Sequence, residues 1–157
     1  MLEMQPEVLE PIILVAGAHR MSEEGRDILL EDDFDKADKE FQEYYLKIHF
    51  NDTARIAAMF ADIRSMAEQV PTTTTEVESK LQKLSRTKVP AFLVWGDRDI
   101  YFPVEIAEEL YMNLQNARLW VVPEQGHTPV WKAMGGDKQA VEIFPGIAAD
   151  FFLKGRK

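Results

Sequence analysis

The chain has no cysteine. That excludes disulfides, thiolate catalysis and zinc sites built on Cys, and it is compatible with a reducing compartment. Basic clusters are missing too. Lys and Arg number 18 against 27 Asp and Glu, for a net charge of -9. Nucleic acids and anionic membranes are recognised through grouped Lys and Arg, so neither is expected as a partner. No apolar run approaches the roughly 20 residues that a membrane span requires. The opening stretch, MLEMQPEVLE, is acidic and lacks the charged-then-apolar layout of a signal peptide. A cytoplasmic location is the expectation. Internal repeats, low-complexity segments, phosphate loops and metal-ligand spacings are all absent, so no cofactor and no metal is expected. The acidic stretch of Glu31, Asp32, Asp33, Asp35, Asp38 and Glu40 lacks the central glycine of an EF-hand loop and reads as a solvated face.

What is present fits one compact domain. The 157 residues are 46% hydrophobic and 10% aromatic, enough for a real core. Ile12-Ile13-Leu14-Val15-Ala16 is a continuous apolar run ended by Gly17, the habit of a strand buried on both faces of a parallel sheet. Residues Met1 to Glu10 ahead of it read as the tail of a helix, so the chain is expected to begin inside an element. From Asp33 to Pro71 the apolar period is helical. Phe34, Ala37, Phe41, Tyr44 and Ile48 form one stripe, and Ile56, Met59, Phe60, Ile63, Met66 and Val70 form a second. Asn51-Asp52 between them can cap the second helix. A third helix is expected near Thr75, where Thr75 and Glu78 have capping-box spacing, with Val77, Leu81 and Leu84 inward.

Ala91 to Trp95, ended by Gly96, is a second buried strand, and Leu119 to Val122 a third. Between them Pro103 opens a helix whose core face is Ile106, Leu110 and Leu114. A last helix spans about Lys138 to Lys154, and Pro145 should kink or restart it. The alternation implies an α/β fold: a parallel three-stranded sheet flanked by helices, with a helical insertion after the first strand.

In open α/β sheets function gathers at the carboxyl ends of strands. Here the second strand runs into Gly96-Asp97-Arg98-Asp99 and the third into Glu124-Gln125-Gly126-His127. An acid and a histidine on neighbouring strand ends can reach each other. These two turns, 28 residues apart from Asp99 to His127 and in this order, resemble the acid turn and histidine loop of the α/β-hydrolase family. The resemblance covers Ile12 to Gly17 and roughly Arg86 to Lys154. It implies that Asp99 orients the imidazole and stabilises its charged form, and that His127 is the general base. Asp97 is the second choice for the acid; otherwise it is a turn residue bonded to its own backbone. His19 follows the first strand and could face the site, whereas His49 ends a helix, where a histidine suits the dipole.

The family's nucleophile sits on a Gly-x-Ser-x-Gly elbow ahead of the acid. The four serines here, Ser22, Ser65, Ser79 and Ser85, make no such elbow; Ser22 reads as a loop residue and the others as helical. The resemblance therefore implies the C-terminal half of the fold: residues 1–20 and 86–157 as core, 21–85 as a lid. The lid's Phe, Tyr and Met side chains either cover an apolar substrate pocket or form the lid's own core. The first strand's free edge is an apolar liability, and a homodimer joined there is expected. Two functions follow. One is an esterase-like or carbon–carbon bond hydrolase for a small, largely apolar substrate, inactive without its nucleophile half, which a partner chain could also supply. The other is a non-catalytic binding or assembly module derived from a hydrolase. An in-frame Gly-x-Ser-x-Gly run in the DNA upstream of Met1 supports the first, and a stop codon the second.

Overall fold

The structure is a computed structural model that describes residues 10–155, apart from the side chains of Thr74, Thr75, Glu76, Ser79 and Lys80. The expected helix over Met1 to Leu9 lies outside the described residues. The sheet has three parallel strands in the order β1 (Ile12–Val15), β2 (Ala91–Gly96), β3 (Ala117–Val122). Ile12 pairs with Ala91 and Ala91 with Ala117, so the carboxyl ends of the strands align at one edge. β2 is buried along its whole length. Its alternating side chains build two cores. Leu93 and Trp95 pack on Ile106, Ala107 and Leu110 of α5 (Val104–Asn113), on one face. Phe92 and Val94 pack with Ala140 and Phe151 of α6 (Lys138–Gly155) on the other.

Two sequence expectations need correction here, and a third is narrowed. β1 is only half-buried, although its apolar run reads as buried on both faces. Among the described residues it has a neighbour on one side only, and burial of a strand depends on both. Of the two outcomes expected at Pro145, a restart is not seen: the last helix is continuous from Lys138 to Gly155. Its apolar face, including Phe144 and Phe151, is anchored on the sheet at both sides of the proline, which holds the helix past one missing backbone bond. On the insertion, Ala67 is buried where Met66 was expected, and Met66 is 41% exposed.

The insertion between β1 and β2 holds four helices: α1 (Glu23–Glu31), α2 (Lys39–Ile48), α3 (Thr53–Gln69) and α4 (Thr74–Leu84). α1 has no counterpart among the helices expected from the apolar period. Ser22, in the loop as expected, is also the N-cap of α1, accepting from the Gly25 N–H, with Glu23 and Glu24 in the first turn. Phe34 lies in a short 3-10 turn (Phe34–Lys36) separated from α2, so the first expected stripe is split at Ala37. Asp38 caps α2 and Asp52 caps α3 through their carboxylates. His49 closes α2 and stacks on Tyr45. α4 starts at Thr74, so Thr75 stands inside its first turn; its capping contact lies outside the described residues. The rings of Phe34, Phe41, Tyr45 and Phe60 pack on one another at 4.4 to 6.4 Å, a core belonging to the insertion itself. No described helix is long and apolar enough to cross a membrane.

Candidate active site

Gly96 ends β2, and the chain turns at once through Asp97 and Arg98 to Asp99. Two bonds zip this turn to the loop after β3. The Arg98 N–H donates to the Gln125 carbonyl at 2.8 Å, and the Gln125 N–H donates to Asp97 Oδ1 at 3.2 Å. The Asp97 carboxylate thus bonds the opposite loop, and the imidazole's carboxylate partner is Asp99. Glu124 has a φ of 60°, a left-handed turn that is uncommon for a residue with a side chain and folds the loop back toward Gly96.

The result is that Asp99 Oδ2 lies 2.9 Å from His127 Nδ1. The other carboxylate oxygen, Oδ1, accepts the N–H groups of Tyr101 and Phe102, each at 3.0 Å. A buried carboxylate is costly unless paired and hydrogen-bonded, and this one has three donors. Its side chain is 0% exposed, whereas that of His127 is 37% exposed. The carboxylate is sealed and the imidazole is open, an arrangement that would let the ring exchange a proton with an incoming molecule. The rings of Tyr101 and Phe102 lie 5.5 and 5.3 Å from the imidazole and restrict its rotation. Burial raises the Tyr101 phenol above its usual range, and the charges of Asp32 and Asp99 add to the effect. The Trp95 indole N–H donates to the Phe102 carbonyl at 2.6 Å, fastening the loop that carries the acid's donors to β2.

His127 Nε2 has no hydrogen bond to any described residue. The serines are engaged elsewhere: Ser22 with α1 and the acid loop, Ser65 with Gln69, Ser85 with the Gln82 carbonyl just past the end of α4. The side chain of Ser79 lies outside the described residues. Nor does His19 face the site. Its Nε2 lies 3.0 Å from Glu109, which also binds Arg20 through both carboxylate oxygens. The Arg20 bond holds the Glu109 carboxyl below its usual range, and the same bond raises the guanidinium. This lock between the end of β1 and α5 has no signal in the sequence, because its partners lie 90 residues apart.

No protein-family model matches the chain. A hydrolase of 2-hydroxy-6-oxononadienedioate and 2-hydroxy-6-oxononatrienedioate from Burkholderia vietnamiensis is 36% identical over 50 residues, 32% of this chain and 17% of that enzyme. Among solved structures, a protein of Mycobacterium tuberculosis described as a non-heme bromoperoxidase superposes on 98% of the chain with a TM-score of 0.59 at 15% identity. An α/β hydrolase from a Medee basin deep-sea metagenome superposes on 96% with 0.59 at 13% identity. The meta-cleavage product hydrolase of Pseudomonas fluorescens superposes on 92% with 0.52 at 15% identity. At these identities the likeness shows the fold. The chain spans 56 to 61% of the lengths of these three structures. It has part of the α/β-hydrolase fold.

Proposed function

We propose that this chain carries the acid and base of a hydrolase of esterase-like or carbon–carbon bond type, acting on a small, largely apolar substrate. The observation that carries the reading is the sealed Asp99 carboxylate against Nδ1 of an otherwise open His127. In this reading Nε2 takes the proton of a hydroxyl nucleophile as that oxygen attacks the substrate carbonyl. Asp99 stabilises the imidazolium that forms, and the proton then passes to the leaving group. Residues 86–155 and β1 supply the frame, and residues 21–85 act as a lid. The likeness to hydrolases supports the class, including the stretch shared with the Burkholderia hydrolase of 2-hydroxy-6-oxononadienedioate.

With no described serine bonded to Nε2, this reading takes the nucleophile from outside this chain and holds the chain alone to be inactive. Purified chain should hydrolyse a p-nitrophenyl ester no faster than its His127→Ala variant. Appreciable turnover abolished by His127→Ala would overturn this part of the proposal.

The free edge of β1 is part of the same reading. Ile13 and Val15 alternate with the residues bonded to β2, so their backbone groups face outward. We propose that this edge is covered by a second copy of the chain. Sedimentation at micromolar concentration should give a dimer, and a monomer would contradict it.

A further inference from the structure

We propose that the first turn of α1, through Ser22 and Gly25, positions the Asp99–His127 pair, so that seating of the helical insertion sets the geometry of the base. The inference rests on reading those two residues as an acid–base pair. It starts from the peptide unit joining Tyr101 and Phe102. The N–H of that unit donates to Asp99 Oδ1 at 3.0 Å. Its carbonyl, that of Tyr101, accepts the Ser22 N–H at 3.3 Å, and Ser22 Oγ lies 3.3 Å from the same oxygen and from the Ile100 carbonyl. A peptide unit is planar, with its N–H and C=O pointing in opposite directions. It cannot turn one without turning the other. The insertion therefore holds one end of a rigid plate whose other end holds the acid.

Gly25 makes the grip possible. It is buried inside a helix, where glycine is a poor choice by propensity. A Cβ at this position would lie 2.5 Å from the Tyr101 carbonyl oxygen and 2.6 Å from Tyr101 Cα. Both are backbone atoms, so no side-chain rotation relieves the clash. The N–H of Gly25 also donates to Ser22 Oγ at 2.9 Å and fixes the hydroxyl that faces the loop. From there a continuous series of bonds runs through the Tyr101–Phe102 peptide and the two oxygens of Asp99 to Nδ1 of His127. Linked hydrogen bonds of this kind strengthen one another. Neither Ser22 nor Gly25 touches the imidazole, so both act by positioning alone.

The test is exchange of the His127 Nδ1 proton with water, measured by NMR on the ¹⁵N-labelled 157-residue chain. Gly25→Ala should accelerate exchange about tenfold or more, because it displaces the plate that holds Asp99. Ser22→Ala should accelerate it less, and Ser22→Thr, which keeps the hydroxyl, should restore the slow rate. The Ser22 pair decides the matter if Gly25→Ala does not fold. Folded Gly25→Ala with unchanged exchange, or Ser22→Ala indistinguishable from Ser22→Thr, overturns the proposal. Asp99→Asn separates the two levels. If it leaves exchange unchanged, the acid–base reading itself falls and takes the positioning role with it. If it accelerates exchange while the α1 variants do not, only the positioning role falls.

Discussion

Gly96→Ala should destabilise the chain by about 3 kcal/mol or more, at or above the upper end for overpacked sites. A Cβ there would lie 2.2 Å from the carbonyl oxygens of both Gln125 and Gly126, and 2.6 Å from the Gln125 carbonyl carbon. Every one of these is a backbone atom of the histidine loop. β2 is buried on both faces and cannot retreat. The loop must therefore move, and His127 is the next residue along it. The substitution should lower the urea midpoint and also separate Nδ1 from Asp99. Gly146→Ala is the matched control. It lies on an exposed turn of α6, and a Cβ there meets nothing within 4 Å. That change should be neutral or stabilising by up to about 1 kcal/mol, since alanine favours helix. Equal urea midpoints for the two variants would contradict the packing described for the strand end.

The second large effect is at Trp95. This side chain is fully buried between β2 and α5, and its indole N–H holds the Phe102 carbonyl at 2.6 Å. Trp95→Ala should cost about 3–5 kcal/mol in lost burial and cavity formation. An unsatisfied Phe102 carbonyl adds about 1–3 kcal/mol where water does not reach it. A domain of this size loses roughly 2–4 °C of Tm for each kcal/mol, so the transition should fall by about 10 °C or more. Trp131 is 47% exposed, and Trp131→Ala should change Tm by no more than about 2 °C. Thermal unfolding by circular dichroism reads both. A Trp95→Ala transition within 2 °C of the unaltered chain's would count against the role given to the indole.

The parts of the fold legible in the sequence are those where local chemistry and tertiary role coincide. Ala91 to Gly96 is an apolar run because it lies in the middle of the sheet, and its closing glycine is small because the histidine loop crosses it. Asp99 and His127 stand at strand ends, so their pairing follows once the strands are placed. What was not legible depends on contacts remote in sequence. α1 went unread because its buried residue is a glycine, chosen for a neighbour in the acid loop and invisible to an apolar period. Its real signal, Ser22 followed by two acids, is a cap and a charged first turn. The half-exposure of β1 is not visible in Ile12 to Val15 themselves, because it depends on what pairs with the strand, and among the described residues only β2 does. Asp97 reads as a local turn residue but bonds Gln125 across the site. The aromatic residues of the insertion left two uses open, and the rings that meet at Phe60 serve its own core.

In the proposed function Asp99 fixes His127 so that Nε2 is a free base. In a histidine, the hydrogen bond made by one ring nitrogen decides which nitrogen keeps the proton when the ring is neutral. The direct measurement is the ¹⁵N spectrum of His127 in the intact chain, at a pH where the ring is neutral. The expected result is the tautomer protonated at Nδ1, with Nε2 bare, and conversion toward the Nε2-protonated form in Asp99→Asn. A neutral ring protonated at Nε2 in the unaltered chain would contradict the account, since such a ring offers no lone pair where a nucleophile must deliver its proton.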